Sequence, residues 1–273
     1  IADVSLYVKP GSSIDKEAIN RGTSIYFPNF VIPMLPEILS NNLCSLKPNE
    51  DRPSLVVKIN LDKDCCLRKY SFFSAIIHSH ARLTYTEVEN NSFKSSLSKA
   101  VIDSLKSLKN LAHKRIEIKD KRGAVRIHSK EHLIKLNNDG TAKTISFRES
   151  TSANQMIEEC MLLANECAAD LLNNRFGYAP FRVHEEPDQL KLETLKKILG
   201  GEAQTQKKED PASQINSISE QISAKDQLKQ SLVLQTMKRA EYSTENVGHF
   251  GLQLNQYCHF TSPIRRYPDL LIH

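Results

Sequence analysis

The strongest periodic signal in the chain lies between residues 153 and 174. Met156, Ile157, Cys160, Met161, Ala164, Cys167, Ala168, Leu171 and Leu172 recur at three- and four-residue spacing, the broad apolar stripe of a packed helix. Ser152 and Gln155 fit a capping box at its start, and Asn174 or Gly177 ends it. Residues 93–112 carry Leu97, Val101, Leu105, Leu108 and Leu111 at helical spacing as well. Further helices are expected at residues 14–21, capped by Ser12 or Ser13, at 189–199, stopped by Gly200 and Gly201, and at 228–242.

Strand-like runs fall at residues 1–8, 54–60, 67–77 and 124–136. The second and third are separated by the turn-rich residues 61–64 and read as an antiparallel pair. Arg122-Gly123 and Asn138-Asp139-Gly140 mark turns around the fourth. Pro28, Pro33 and Pro36 stand among aromatic residues, so residues 23–36 read as an extended loop. Residues 202–214 are polar and of low complexity, which predicts a flexible loop. Strands and helices are mixed without regular alternation, which argues for an α+β fold rather than a doubly wound sheet. No internal repeat is visible.

Composition narrows this picture only a little. The 273 residues suit one large domain, or one and a half, and 40% hydrophobic content allows a real core. A net charge of +5 is compatible with nucleic acid without proving it, because whole-chain charge says nothing of patches. Lys106, Lys109, Lys114, Arg115, Lys119, Lys121, Arg122 and Arg126 concentrate positive charge mid-chain, where a solvated helix and hairpin is the plainest reading. Cys44, Cys65, Cys66, Cys160, Cys167 and Cys258 form no C-x-x-C pair and read as reduced thiols of a cytoplasmic protein. No apolar run is long enough for a membrane span.

Candidate chemistry gathers near the end of the chain. Arg265 and Arg266 sit between Pro263 and Pro268, which fix φ on both sides, and Tyr267 follows the two cations directly. Pro268 should also push Tyr267 away from helical geometry. Arginine offers a planar fork that pairs with phosphate, and a neighbouring ring offers a stacking face. The plain alternative is a surface arginine pair capped by a turn. His78 and His80 would share one strand face, and His249 and His259 lie close to the arginines. Hard cations prefer oxygen, so these histidines read as structural or nucleic-acid-contacting groups rather than metal ligands. Asp3 and Asp269 are the carboxylates nearest this region, and neither is assigned a metal.

Residues 259–270, His-Phe-Thr-Ser-Pro-Ile-Arg-Arg-Tyr-Pro-Asp-Leu, preceded by Asn-Val-Gly-His-Phe-Gly-Leu at 246–252, resemble the signature of the ribonuclease II/R family, the RNB domain. Blocks at 1–5, 21–28, 32–36, 43–46, 80–85 and 161–166 resemble the same family in the same order, nearest its ribonuclease R branch. The resemblance implies a curved β-core with helices around it, enclosing a channel for one RNA strand. It implies a processive 3′-to-5′ exoribonuclease acting on single-stranded RNA with Mg²⁺ and releasing nucleoside 5′-monophosphates. Arg265 matches the position of the family's catalytic arginine and Tyr26 that of a base-stacking tyrosine. Glu158, with Glu159 adjacent, lies where the family has an RNA-contacting glutamate. Arg266 is expected to contact the RNA backbone or to make a structural ion pair, and Tyr267 to contact RNA.

The family's metal-binding aspartates follow the pattern DxxxxxDxDD upstream of the Ile-Ala-Asp-Val-Ser block, and no Asp-x-Asp-Asp occurs in these 273 residues. The chain is therefore expected to be the central part of the catalytic domain, with the metal-binding segment and the domain's end outside it. The Mg²⁺ ligands are expected upstream of Ile1. Two other readings stay open: a catalytically inactive RNA-binding module, and a structural domain of a larger complex. Single-stranded RNA is the expected partner, with neither DNA nor membrane, and the protein is expected to be monomeric.

Overall fold

Val4 and Val8 are both fully buried, four residues apart, and that spacing overrides the alternation that predicts a first strand. Only Ala2 bridges to the sheet, opposite Ser54, before a 3₁₀ turn at Val4–Leu6 carries both valines into the core. The structure is a computed structural model that describes residues 1–93, 97–126, 131–148, 150–199, 210–223 and 226–273. Helix α1 (Ser13–Arg21) is capped by the Ser12 hydroxyl on the Asp15 N–H and closes at Gly22 with φ 67°, where a side chain would be strained. Residues 23–36 form the expected Pro-punctuated loop, with a minimal ladder inside it between β1 (Ile25–Tyr26) and β2 (Val31–Ile32). A π-helical turn follows at Ile38–Leu43.

Strands β3 (Asp51–Leu61) and β4 (Leu67–His78) form the predicted antiparallel hairpin. The Asp62 carboxylate closes its turn by accepting the N–H groups of Asp64 and Cys66, both at 2.9 Å. After α2 (Tyr85–Asn90), helix α3 (Lys99–Lys121) begins later than predicted and runs well past residue 112. Its extra turns are held by charge. Arg115 and Arg122 face Glu166, and Lys119 faces Glu158 and Glu159 at 3.0 and 3.6 Å. Arg115 is only 6% exposed. The basic run is thus partly an inward-facing ion-pair ladder rather than a solvated face. The predicted 124–136 strand shortens to β5 (Glu131–Leu136), paired with β6 (Ala142–Arg148); residues 127–130 lie outside the described residues.

Helix α4 (Ser152–Phe176) is the long amphipathic helix of the sequence, ended by Gly177. Its cap is shifted by one residue: Thr151 and Asn154, not Ser152 and Gln155, make the reciprocal capping box. Strand β7 (Phe181–Val183) leads to α5 (Gln189–Leu199), the helix predicted there. Gly200, Gly201 and residues 202–209 of the predicted loop lie outside the described residues. Residues 211–214 belong instead to α6 (Pro211–Gln221), because Asp210 caps Ala212 and Ser213, Pro211 suits the first turn, and Ile215 and Ile218 are fully buried. The expected 228–242 helix splits into α7 (Gln227–Thr236) and β8 (Glu241–Ser243), since residues 241–243 are taken by pairing with β7. Tyr267 opens α8 (Tyr267–Ile272); Pro268 is tolerated in that first turn, and the extended residue is Arg266.

The architecture is α+β, with the described strands in four separate two-stranded antiparallel ladders among the helices. Among the described residues, three apolar clusters hold it together. One joins Val4, Val8, Met34, Leu35 and Leu270; a second packs α5, α6 and α7 through Leu192, Ile215, Ile218 and Val233. The third sets Phe181, Val183, Cys258 and Phe260 against Ala164, Ala168 and Ala169 of α4. No helix among the described residues is long and apolar enough to cross a membrane.

Candidate functional site

Two distant loops meet at one place. The carbonyl of Arg265 accepts the Ser24 N–H at 3.0 Å and the Thr23 hydroxyl at 2.9 Å, and Tyr267 donates its N–H to Gly22 at 2.9 Å. The loop that carries Tyr26 is therefore fastened to the loop that carries Arg265. Both side chains line a cleft of about 720 Å³ whose wall is mostly apolar, with Leu46, Val57, Ile157 and Met161 in it. Arg265 is the only cationic side chain lining it, is exposed, and has no ion-pair partner among the described residues. Tyr26 is 62% exposed, whereas its neighbour Phe27 stacks on Phe30 at 4.5 Å. A ring held open beside an unpaired guanidinium in an apolar cleft can stack a planar group and bind an anion together.

Glu158 lines a smaller depression of about 240 Å³ that shares Ile157 and Met161 with the first. It is exposed and pairs with Lys119, while Glu159 is buried and its carboxyl is raised above the usual range by that burial. Geometry thus separates two adjacent glutamates that the sequence leaves ambiguous. Arg266 lines the same depression as Glu158 and is also ion-paired, whereas Tyr267 is turned into the core. Arg266 Nη2 donates to Asp269 Oδ1 at 2.7 Å, which is the ion-pair reading. Tyr267 does not offer the expected stacking face: its hydroxyl donates to Asp15 at 2.9 Å and its ring packs on the first apolar cluster.

The sequence marks Asp269 only as a nearby carboxylate and does not single out Asn165, yet these two hold the arginine loop in place. Asp269 is wholly buried and accepts the Ser262 N–H as well as Arg266. Asn165 of α4 accepts the Phe260 N–H at 2.9 Å and donates to the Tyr257 hydroxyl at 2.8 Å. A polar residue inside an otherwise apolar helix stripe was the available signal for Asn165. Among the described residues no three His, Cys, Asp or Glu side chains are gathered as a metal site. Asp3 Oδ1 accepts the Ser5 hydroxyl; Asp269 accepts Ser262 and Arg266 through Oδ1, while its Oδ2 is fully buried without a partner among the described residues. These donors do not fit a two-metal centre, and no catalytic step follows from a metal on them. His78 is bound to Asp51 at 2.7 Å beside His80, away from the cleft lining.

His249 and His259 are half-buried, and His259 sits beside the arginine loop. Burial, followed by the charge of neighbouring groups, pulls His249 down to about 4 and His259 to about 3. The unfolded chain takes up these protons near pH 6.5, and the folded chain only well below that. Between those values the unfolded state binds more protons, so stability falls as pH falls. Glu159 and Glu166, raised by burial, act in the opposite direction. Melting temperature is expected to drop between pH 6.5 and 4, and His259→Gln to flatten that slope. A variant slope equal to the wild-type slope would show that His259 is not responsible.

The whole chain, residues 1–273, matches the family model described as RNB domain. It is 41% identical over 281 residues to ribonuclease R of Vibrio cholerae and 40% identical over 283 residues to ribonuclease R of Escherichia coli. Each alignment covers 100% of this chain and 34% or 35% of the relative, so the chain spans about a third of their length. RNase R of Mycoplasma genitalium, solved with ribose-methylated single-stranded RNA, superposes with a TM-score of 0.93 at 36% identity, over 100% of this chain and 44% of that one. Yeast Ssd1, a pseudonuclease, shares the fold at a TM-score of 0.76 and 20% identity, over 100% of this chain and 34% of its own. Whole-length similarity at this level, in sequence and in structure alike, places the chain in the RNB domain family.

Proposed function

We propose that the full-length protein is a processive 3′-to-5′ exoribonuclease that hydrolyses single-stranded RNA to nucleoside 5′-monophosphates in the cytoplasm. The observation that carries this reading is the fastening of the Tyr26 loop to the Arg265 loop across one open cleft. In it the Tyr26 ring stacks on a base of the strand and holds it in register, an interaction that tolerates any base. Arg265 faces the reacting phosphate and stabilises charge as it develops there. Glu158 contacts the strand from the adjoining depression. Mg²⁺, held by aspartates outside these 273 residues, would supply a nucleophilic hydroxide and neutralise phosphate charge.

The test is incubation of the full-length protein with 5′-labelled oligo(A) and Mg²⁺. Shortening from the 3′ end to a short 5′ remnant is the expected result. Tight binding without shortening would identify a catalytically inactive RNA-binding module instead. Tyr26→Ala should change the length of the final remnant more than the rate, because losing a stacked base weakens the grip on short products by roughly 1–3 kcal/mol. An unchanged product ladder counts against Tyr26 as the clamp.

A further inference from the structure

Strand β7 has two unlike faces. Phe181 and Val183 point into the apolar cluster on α4, so Arg182 between them points the other way. Arg182 is in register with Tyr242 of β8, and its guanidinium lies over the Tyr242 ring, 4.8 Å from the centroid. On the other side of β7, Phe181 bridges to buried Cys258, and Arg182 donates its N–H to Tyr257. His259, next along from Cys258, therefore falls on the Arg182 face, and its Nδ1 meets the Tyr242 hydroxyl at 2.6 Å. This small sheet thus presents Arg182, Tyr242 and His259 together, on the segment that runs directly into the Arg265 loop.

The charge on that face is unbalanced. Asp269 neutralises Arg266, but neither Arg182 nor Arg265 has a carboxylate partner among the described residues. His259 adds no further positive charge there: burial first, then Arg266, Arg182, His249 and Arg265 in turn, hold it neutral. A guanidinium held over an aromatic ring has less freedom left to lose on binding, and its outer edge is a fork that suits a phosphodiester.

Building on the RNA-cleaving reading above, we propose that Arg182, stacked on Tyr242, is a second phosphate contact for the bound strand, binding the RNA backbone at a nucleotide adjoining the one that Arg265 faces. A phosphate contact carries no base information, so its effect is the same on oligo(A) and oligo(U).

The experiment measures fluorescence anisotropy of labelled oligo(A) and oligo(U) on the full-length protein in EDTA, where no strand is cut, over a range of KCl concentrations. Arg182→Gln is expected to weaken both by about tenfold at low salt. It should also reduce the salt slope by about 0.7, the value for one phosphate on a single strand. Arg182→Lys should keep the slope and lose several-fold in affinity, because the charge remains but the stacked fork is gone. Tyr242→Leu should do the same. Wild-type affinity and slope in Arg182→Gln, with an unchanged melting temperature, overturns the proposal. If Arg182→Gln does not fold, wild-type affinity in Arg182→Lys overturns it. Failure of the wild-type protein to bind either strand sinks the underlying RNA reading instead, so the two failures are distinguishable.

Discussion

Arg265→Ala in the full-length protein is expected to slow single-turnover RNA cleavage by a factor on the order of a hundred to a thousand, with affinity changed much less. The reason is differential. A guanidinium aimed at the reacting phosphate matters most when charge builds on it, so its loss falls on the rate. The backbone of Arg265 is anchored through its carbonyl to Thr23 and Ser24, and alanine keeps that anchor, so the loop should stay in place. Arg265→Lys should rescue only in part, because an ammonium restores charge without the planar fork. Single-turnover rates and equilibrium binding for the two variants decide the matter. Equal losses of affinity and rate in Arg265→Ala would make it a binding arginine and remove its catalytic role.

Asp269→Ala is expected to cost about 3–5 kcal/mol of stability, the largest effect for any single change near the site. Asp269 is completely buried, and its Oδ1 takes two hydrogen bonds of 2.7 Å, from Ser262 and Arg266. Removing it leaves the Arg266 charge uncompensated in a place where its Nε already has no partner among the described residues. An unpaired buried charge is far more costly than an absent pair, so replacing Arg266 and Asp269 together by leucine should recover much of the loss. Asp269→Asn keeps an acceptor and should lie between the two. Urea unfolding of the four proteins tests this. An Asp269→Ala variant within about 1 kcal/mol of wild type would show that the pair is not what fastens the arginine loop. Loosening that loop also displaces Arg265, so activity should fall with stability.

The parts of this protein that the sequence determined are those whose cause is local. The hairpin of β3 and β4 follows from two apolar-alternating runs around an Asp-rich turn, and α4 from an apolar stripe ending at a glycine. The α+β class follows from the irregular mixture of such segments. Arg265 and Tyr26 stood out because their blocks resemble those of the RNB family, as part of an ordered set along the chain. Where a local rule had two solutions, tertiary contacts chose. Val4 and Val8 turn residues 1–8 inward because the core accepts both. Residues 241–243 leave a helical run because β7 offers a pairing edge, and α3 extends because Glu158, Glu159 and Glu166 neutralise its inner face. The commitment of Arg266 to Asp269 and of Tyr267 to Asp15 depends on which groups face them, as does the stacking of Arg182 on Tyr242. The meeting of Arg265 with Tyr26 is likewise tertiary. Residues 239 positions apart in the chain share a cleft because the Thr23 hydroxyl and the Ser24 N–H bond to the Arg265 carbonyl across the fold, and no local pattern encodes such a closure.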